Sequence, residues 1–116
     1  MEKLKPKVGI IGCGNVGMRY AYALMGSGIA RQIVIVDLDR KRLEGEVMDL
    51  SHGAPYIPAV EVIAGDYADL ADSDLVVVTA GRKQQPGQSR TDLAKDNVEL
   101  FRKMVPEIMK YAGGSI

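Results

Sequence analysis

GCGNVG, Gly12–Gly17, is the stretch on which the fold turns. Just before it, Val8–Ile11 is a short apolar run closed by glycine, the pattern of a buried strand. Just after it, Asn15 to about Ser27 reads as a helix stopped by Gly28, a natural left-handed terminator. Gly17, Ala21 and Leu24 recur on one face of that helix, and the small ones let it lie close to a sheet. Among 13 glycines in 116 residues a bare G-x-G-x-x-G would mean little. Flanked by a strand and a helix, it specifies a strand–turn–helix unit.

The next segment outward supplies the partner that this unit requires. Ile33–Asp37 (IVIVD) is a β-branched strand ending in an acid, and Asp37 lies 20 residues beyond Gly17. Each glycine then has its own mechanical reason. Gly12 allows the tight turn, Gly14 lets backbone approach a diphosphate, and Gly17 lets helix pack on strand. The helix N-terminus offers free N–H groups and a partial positive charge to phosphates. Asp37 is placed to accept hydrogen bonds from ribose hydroxyls, and a 2′-phosphate there would meet a carboxylate. The expected cofactor is therefore NAD rather than NADP. Arg40 and Arg42 lie close by, and each can equally be read as part of a solvated helix face. Cys13, inside the loop, reads as a small buried hydrophobe in preference to a reactive thiol.

Further along, Arg40–Leu50 is a charged helix with Leu43, Val47 and Leu50 on one stripe. Val60–Ala64 is a weaker third strand and Leu75–Ala80 a fourth. A long helix runs from about Arg90 to Ala112, its apolar stripe read through Leu93, Leu100, Phe101, Met104, Val105, Ile108 and Met109. Asn97 sits on that stripe and reads as a satisfied buried amide. Pro106 should kink the helix, and Gly113-Gly114 should end it. Strands alternating with helices imply parallel pairing with right-handed crossovers. Runs such as IVIV and LVVV, apolar on both faces, suit a sheet covered on both sides. The expected fold is a doubly wound α/β sheet of Rossmann type, one domain over residues 1–116, with strand order 3-2-1-4. Ser115-Ile116 looks like the first two residues of a fifth strand.

Composition narrows the class. Lys+Arg and Asp+Glu are both 15, so there is no net charge to suit nucleic acid or a membrane surface. No apolar run approaches the roughly 20 residues that cross a bilayer. The N-terminus MEKLKPK lacks the apolar core of a secretion signal. One cysteine fits a reducing compartment, so a cytoplasmic location is expected.

The stretch GRKQQPGQSR, Gly81–Arg90, is the other informative one. A buried strand opens into polar residues and a Pro-Gly, more than a simple turn needs. In an open parallel sheet ligands lie beyond the carboxyl ends of the strands, where strand order reverses. This loop leaves the sheet beside the glycine turn and is a candidate lid. Ser89-Arg90-Thr91-Asp92 has the form of a capping box, which puts Arg90 at the first helical position, facing the positive end of the helix dipole. Such a locally unfavourable cation suggests function; the plainer reading is a surface arginine paired with Asp92 or Asp96. Gln84 without context is a solvated loop residue.

GIIGCGNVG, IVIVDLD, EGEVMDLSHG, VVVTAG and QQPGQSRTDLAKDNVELFRKMVPEIMKY resemble, in order and spacing, the N-terminal half of the L-lactate/malate dehydrogenases. Within that family the likeness is to the L-lactate dehydrogenases. It implies an oxidoreductase that passes hydride between NAD and a small 2-oxo or 2-hydroxy acid. It implies that Arg90 polarises the substrate carbonyl. Gln84 would then separate lactate from malate specificity, since arginine there would pair with malate's second carboxylate. Val16, Thr79, Ala80, Gly81 and Arg82 would line the cofactor with Gly12, Gly14, Gly17 and Asp37, and Tyr67 and Arg42 would lie near its adenine end. No metal is implied. Subunits of the family pair partly through the helix matching Arg40–Leu50, so a homo-oligomer, dimer or tetramer, is expected.

Reduction of a ketone also needs a proton donor. His52 follows a helix whose C-terminus emerges at the far end of the sheet from the crevice, so it is expected to be structural. The resemblance places the proton-donating histidine, its aspartate and a second arginine in a C-terminal catalytic domain beyond residue 116. The chain is expected to be a fragment, inactive alone, with its fourth strand and long helix exposed to self-association. Two other readings stay open: a malate or other 2-hydroxyacid dehydrogenase of the same family, and a non-catalytic NAD-binding module.

Overall fold

The structure, a computed structural model, describes residues 5–52, 60–81 and 84–116. Its elements in chain order are β1 (Lys7–Ile11), α1 (Asn15–Ser27), β2 (Gln32–Val36), α2 (Arg40–His52), β3 (Glu61–Ala64), a 3-10 turn (Tyr67–Leu70), β4 (Leu75–Val78) and α3 (Arg90–Ala112). The four strands are all parallel, in the order β3-β2-β1-β4. β1 lies between β2 and β4, with Gly9 opposite both Val34 and Val76.

Alternation along the strands builds two cores. Val8, Ile10, Ile33 and Ile35 point to one face, where Ala21 and Met25 of α1 and Leu43 and Leu50 of α2 cover them. Ile11, Val34 and Val36 point to the other, beneath Leu70, Met104 and Ala112. Helices thus cover both faces, the doubly wound arrangement expected from strands with no polar side. Full burial of a side chain such as Ile10, Ile33 or Leu43 contributes about 1.5–3 kcal/mol. Gly9 faces the second core, where a Cβ would stand 2.5 Å from the Leu70 Cδ2 methyl and would push that side chain aside.

Several boundaries differ from those read in the sequence. β2 ends at Val36 and β4 at Val78, which leaves Asp37, Thr79 and Ala80 on the loops that leave the sheet. α2 runs on to His52, which is exposed. The 3-10 turn at Tyr67–Leu70 is an addition to the elements read from the sequence; Asp66 and Asp69 close it with a capping box. α3 runs unbroken through the exposed Pro106. Its apolar stripe divides: Leu100, Met104 and Ile108 pack on the sheet, whereas Phe101, Val105 and Met109 are exposed at 37%, 47% and 60%. The seven apolar residues are too wide an arc for one helix to bury against a flat sheet. Beside β4, the Ile116 N–H donates to the Asp74 carbonyl at 3.1 Å and the Val76 N–H donates to the Ile116 carbonyl at 2.9 Å. A fifth position of the sheet therefore begins here, in parallel with β4.

Candidate cofactor site

The carboxyl ends of β1, β2 and β4 open into a cleft of about 740 Å³. Its floor is the glycine turn. Gly12 has φ +109°, and a Cβ on it would lie 2.9 Å from the Ala80 nitrogen, so both backbone conformation and space demand glycine. Gly17 is buried in the first turn of α1, and a Cβ there would come within 2.1 Å of the Gly12 carbonyl oxygen. Gly14 is different. Its backbone is ordinary extended chain, φ −74° and ψ −172°, and nothing lies within 4 Å of where a Cβ would be. The protein's own packing gives no reason for glycine at 14.

Gly14 is also the N-cap of α1, and no side chain caps that helix. The N-terminus of α3, by contrast, is closed by Ser89, which accepts from the Asp92 N–H at 3.1 Å. The first N–H groups of α1 and its dipole therefore face open space over a residue without a side chain, the cradle a diphosphate fits.

Asp37 forms the adjoining wall. One carboxylate oxygen accepts from the Cys13 N–H at 2.8 Å and the other from the Asp39 N–H at 2.9 Å. Burial opposes its ionisation, but these donors and the nearby Arg42 charge prevail and hold its pKa below the ordinary carboxylate value. Asp37 is thus a fixed anion whose remaining lone pairs can accept from hydroxyl groups. Cys13 is 1% exposed, and burial, followed by contact with Asp37, pushes its thiol up to about 11. It packs as a small apolar group, as expected from its sequence context.

Arg42 lines the cleft beside Asp37, with its backbone N–H on the Asp39 carboxylate at 3.2 Å. Arg40 is engaged elsewhere: it pairs with Glu44 at 3.1 Å and Asp66 at 3.6 Å and donates to the Ala64 carbonyl. Tyr67 lines the cleft from the 3-10 turn; burial, then the charges of Glu107 and Asp37, raises its pKa. Thr79, Ala80 and Gly81 form the wall from β4. The Thr79 hydroxyl lies 3.2 Å from the carbonyls of both Ile11 and Gly12, stitching this wall to the glycine turn.

Of the residues singled out in the sequence, Gly12, Gly14, Asp37, Arg42, Tyr67, Thr79, Ala80 and Gly81 meet in the cleft. Val16 and Gly17 do not line it: Val16 is 70% exposed on α1, and Gly17 serves the helix–turn contact. Gln84 and Arg90 are exposed and outside it as well. Among the described residues no carboxylate pairs with Arg90, so the surface ion pair is not what holds it. Arg82 lies outside the described residues. His52 is about 18 Å along α2 from Arg40, exposed, and does not line the cleft. Sequence reasoning missed Leu38, Gln85, Gln88 and Asp96, which also line the cleft. Leu38, apolar and 83% exposed directly after the acid, carried a readable signal; Gln88 and Asp96 carried none, since only the folded turn brings them together. No grouping of His, Cys, Asp and Glu among the described residues could hold a metal.

Residues 6–116 match the model of the lactate/malate dehydrogenase NAD-binding domain. The chain belongs to that family. As an NAD-binding domain it takes NAD as its cofactor, which the open cradle at Gly14 and the fixed anion at Asp37 fit. It is 48% identical over 105 residues to an L-lactate dehydrogenase of Clostridium botulinum (strain Loch Maree), covering 90% of this chain and 33% of that protein. It is 48% identical over 110 residues to an L-lactate dehydrogenase of Acetivibrio thermocellus, covering 95% and 35%. Among solved structures, the minor L-lactate dehydrogenase of Enterococcus mundtii superimposes with TM-score 0.89 at 40% identity, covering 94% of this chain and 35% of that one. A lactate dehydrogenase from a Medee basin deep-sea metagenome library superimposes with TM-score 0.87 at 42% identity, with the same coverage. The chain spans about a third of the length of the curated relatives it matches. No helix among the described residues is long and apolar enough to cross a membrane.

Proposed function

We propose that this chain is the cofactor-binding half of an NAD-dependent L-lactate dehydrogenase that interconverts pyruvate and L-lactate. The observation that carries the reading is Gly14: a glycine that packing does not require, over a helix start with no side-chain cap and beside the anion Asp37. When bound, NAD supplies or accepts the hydride. The residues of this chain hold and orient. N–H groups at the start of α1 bind the diphosphate, Asp37 accepts from the adenosine ribose hydroxyls, and Arg42, Tyr67 and Leu38 flank the adenine end. Thr79, Ala80 and Gly81 flank the other side. Arg90 polarises the substrate carbonyl by charge-assisted hydrogen bonding. Gln84, neutral, leaves room for pyruvate's methyl where a cation would select a second carboxylate. A catalytic domain beyond residue 116 provides the proton donor, and the whole enzyme is a cytoplasmic homo-oligomer. Names of the relatives and the glutamine at position 84 support lactate over malate.

Turnover of pyruvate and oxaloacetate by the complete enzyme tests this reading. Preference for pyruvate is expected, reversed or weakened by Gln84→Arg. Preference of the unsubstituted enzyme for oxaloacetate would replace lactate with malate, and calorimetry showing no binding of NADH would remove the reading altogether.

A further inference from the structure

We propose that Gln88 and Asp96 form a clamp that positions Gln84, an inference that rests on the functional reading above. Residues 84–87 are exposed and bury no apolar group that could fix them. What holds them is a set of hydrogen bonds centred on Gln88. Gln85-Pro86-Gly87-Gln88 is a turn with proline second and glycine third, Gly87 at φ +81°, closed by the Gln88 N–H on the Gln85 carbonyl at 3.0 Å. The Gln88 side-chain oxygen accepts from the Gln85 N–H at 3.0 Å. Its side-chain nitrogen donates to the Asp96 carboxylate at 2.7 Å. Its carbonyl accepts from the Gln84 amide, also at 2.7 Å.

The Gln88 amide makes both side-chain bonds at once, donating to a carboxylate while accepting from an N–H, which neither a carboxylate nor an ammonium could do. A glutamate at 88 would set two carboxylates against each other. Asp96 lies well inside α3, whose start is fixed separately by the Ser89–Asp92 capping box. The turn is therefore fastened to a rigid helix at two points, Ser89 and Gln88. Gln84 and Arg90, at its two ends, are held at a set spacing. The bond from Gln88 to Asp96 is charge-assisted and half-buried in the cleft wall, so it is the strongest member of the set.

Asp96 touches neither Gln84 nor the turn's own closing bond, so substituting it separates positioning from direct contact. Amide exchange by NMR on the full 116-residue chain reads the result. In Asp96→Ala, exchange at the Gln84 side-chain amide and the Gln88 backbone N–H should rise roughly tenfold or more. Exchange in the strands should stay unchanged. Asp96→Asn, which keeps an acceptor oxygen, should restore most of the protection, and Gln88→Glu with Asp96→Asn should restore it by reversing donor and acceptor. Unchanged exchange in Asp96→Ala, or Asp96→Asn no better than alanine, would overturn the clamp. NADH titration of the unsubstituted chain is run alongside; absence of binding would overturn the functional reading, and with it the purpose assigned to the clamp, whatever the exchange shows.

Discussion

Gly14 and Gly17 belong to one motif, yet alanine should act on them in opposite ways. At Gly17 the new methyl would stand 2.1 Å from the Gly12 carbonyl oxygen and 2.6 Å from the Thr79 hydroxyl. Ordinary contact needs the backbone to part by about 1 Å, an overpacking cost of up to about 3 kcal/mol. Alanine's helix preference returns about 1 kcal/mol. The expected net loss is about 2 kcal/mol, seen as a lower urea midpoint at unchanged slope. At Gly14 the methyl meets nothing within 4 Å. The poorer N-cap costs up to about 1 kcal/mol, and the stiffer unfolded chain returns about 0.4–1 kcal/mol, so stability should barely move. NADH affinity should fall instead: loss of one N–H contact to a charged phosphate, about 1.5–3 kcal/mol, weakens binding about ten- to a hundredfold. Urea unfolding and calorimetric NADH titration on the same two variants provide the test. A Gly14→Ala chain that binds NADH like the unsubstituted one, or that loses stability as Gly17→Ala does, would refute the division of labour.

Three further outcomes follow from the site and its surroundings. Because the folded Asp37 has a pKa below its ordinary 3.8, its contribution is present above that value and is lost as pH falls through the lower one. Asp37→Asn should flatten the acid limb of a stability–pH curve, and an unaltered limb would contradict the fixed-anion assignment. Cys13, raised from 9.0 to about 11, contributes stability below pH 9 that is lost between pH 9 and 11. Cys13→Ala should remove that alkaline loss, and native Cys13 should resist iodoacetamide at pH 8, at a labelling rate limited by unfolding. The exposed stripe of α3 should make this chain self-associate at high concentration; Val105→Lys with Met109→Lys should lower its sedimentation coefficient without lowering its melting temperature.

Much of this architecture is legible in the residues because periodicity and glycine placement respond to the same constraint. IVIV at 33–36 is apolar at every position, and the structure sends alternate residues to two separate cores. Gly12 and Gly17 are forced by contacts that any strand–turn–helix of this shape must make. The acid at 37 is placed by the end of β2. What escaped the sequence depends on tertiary geometry. The seven apolar residues of α3 looked like one stripe, but the flat sheet covers only the arc through Leu100, Met104 and Ile108. Tyr67–Leu70 is too short to show a period, and the Asp66–Asp69 spacing that caps it has no apolar run after it to mark a helix. Gln88 and Asp96 are ordinary polar residues until a Pro-Gly turn folds one back upon the other.

NAD lying across the uncapped start of α1, with its adenosine ribose at Asp37, must perturb the backbone N–H groups around it. Titration of NADH into the isotope-labelled chain, followed through backbone N–H resonances, reads this out residue by residue. Saturable shifts are expected at Gly14–Gly17, at Cys13 and Asp39 beside the Asp37 carboxylate, and at Thr79–Gly81. Shifts confined to other surfaces, or none at all, would contradict that placement.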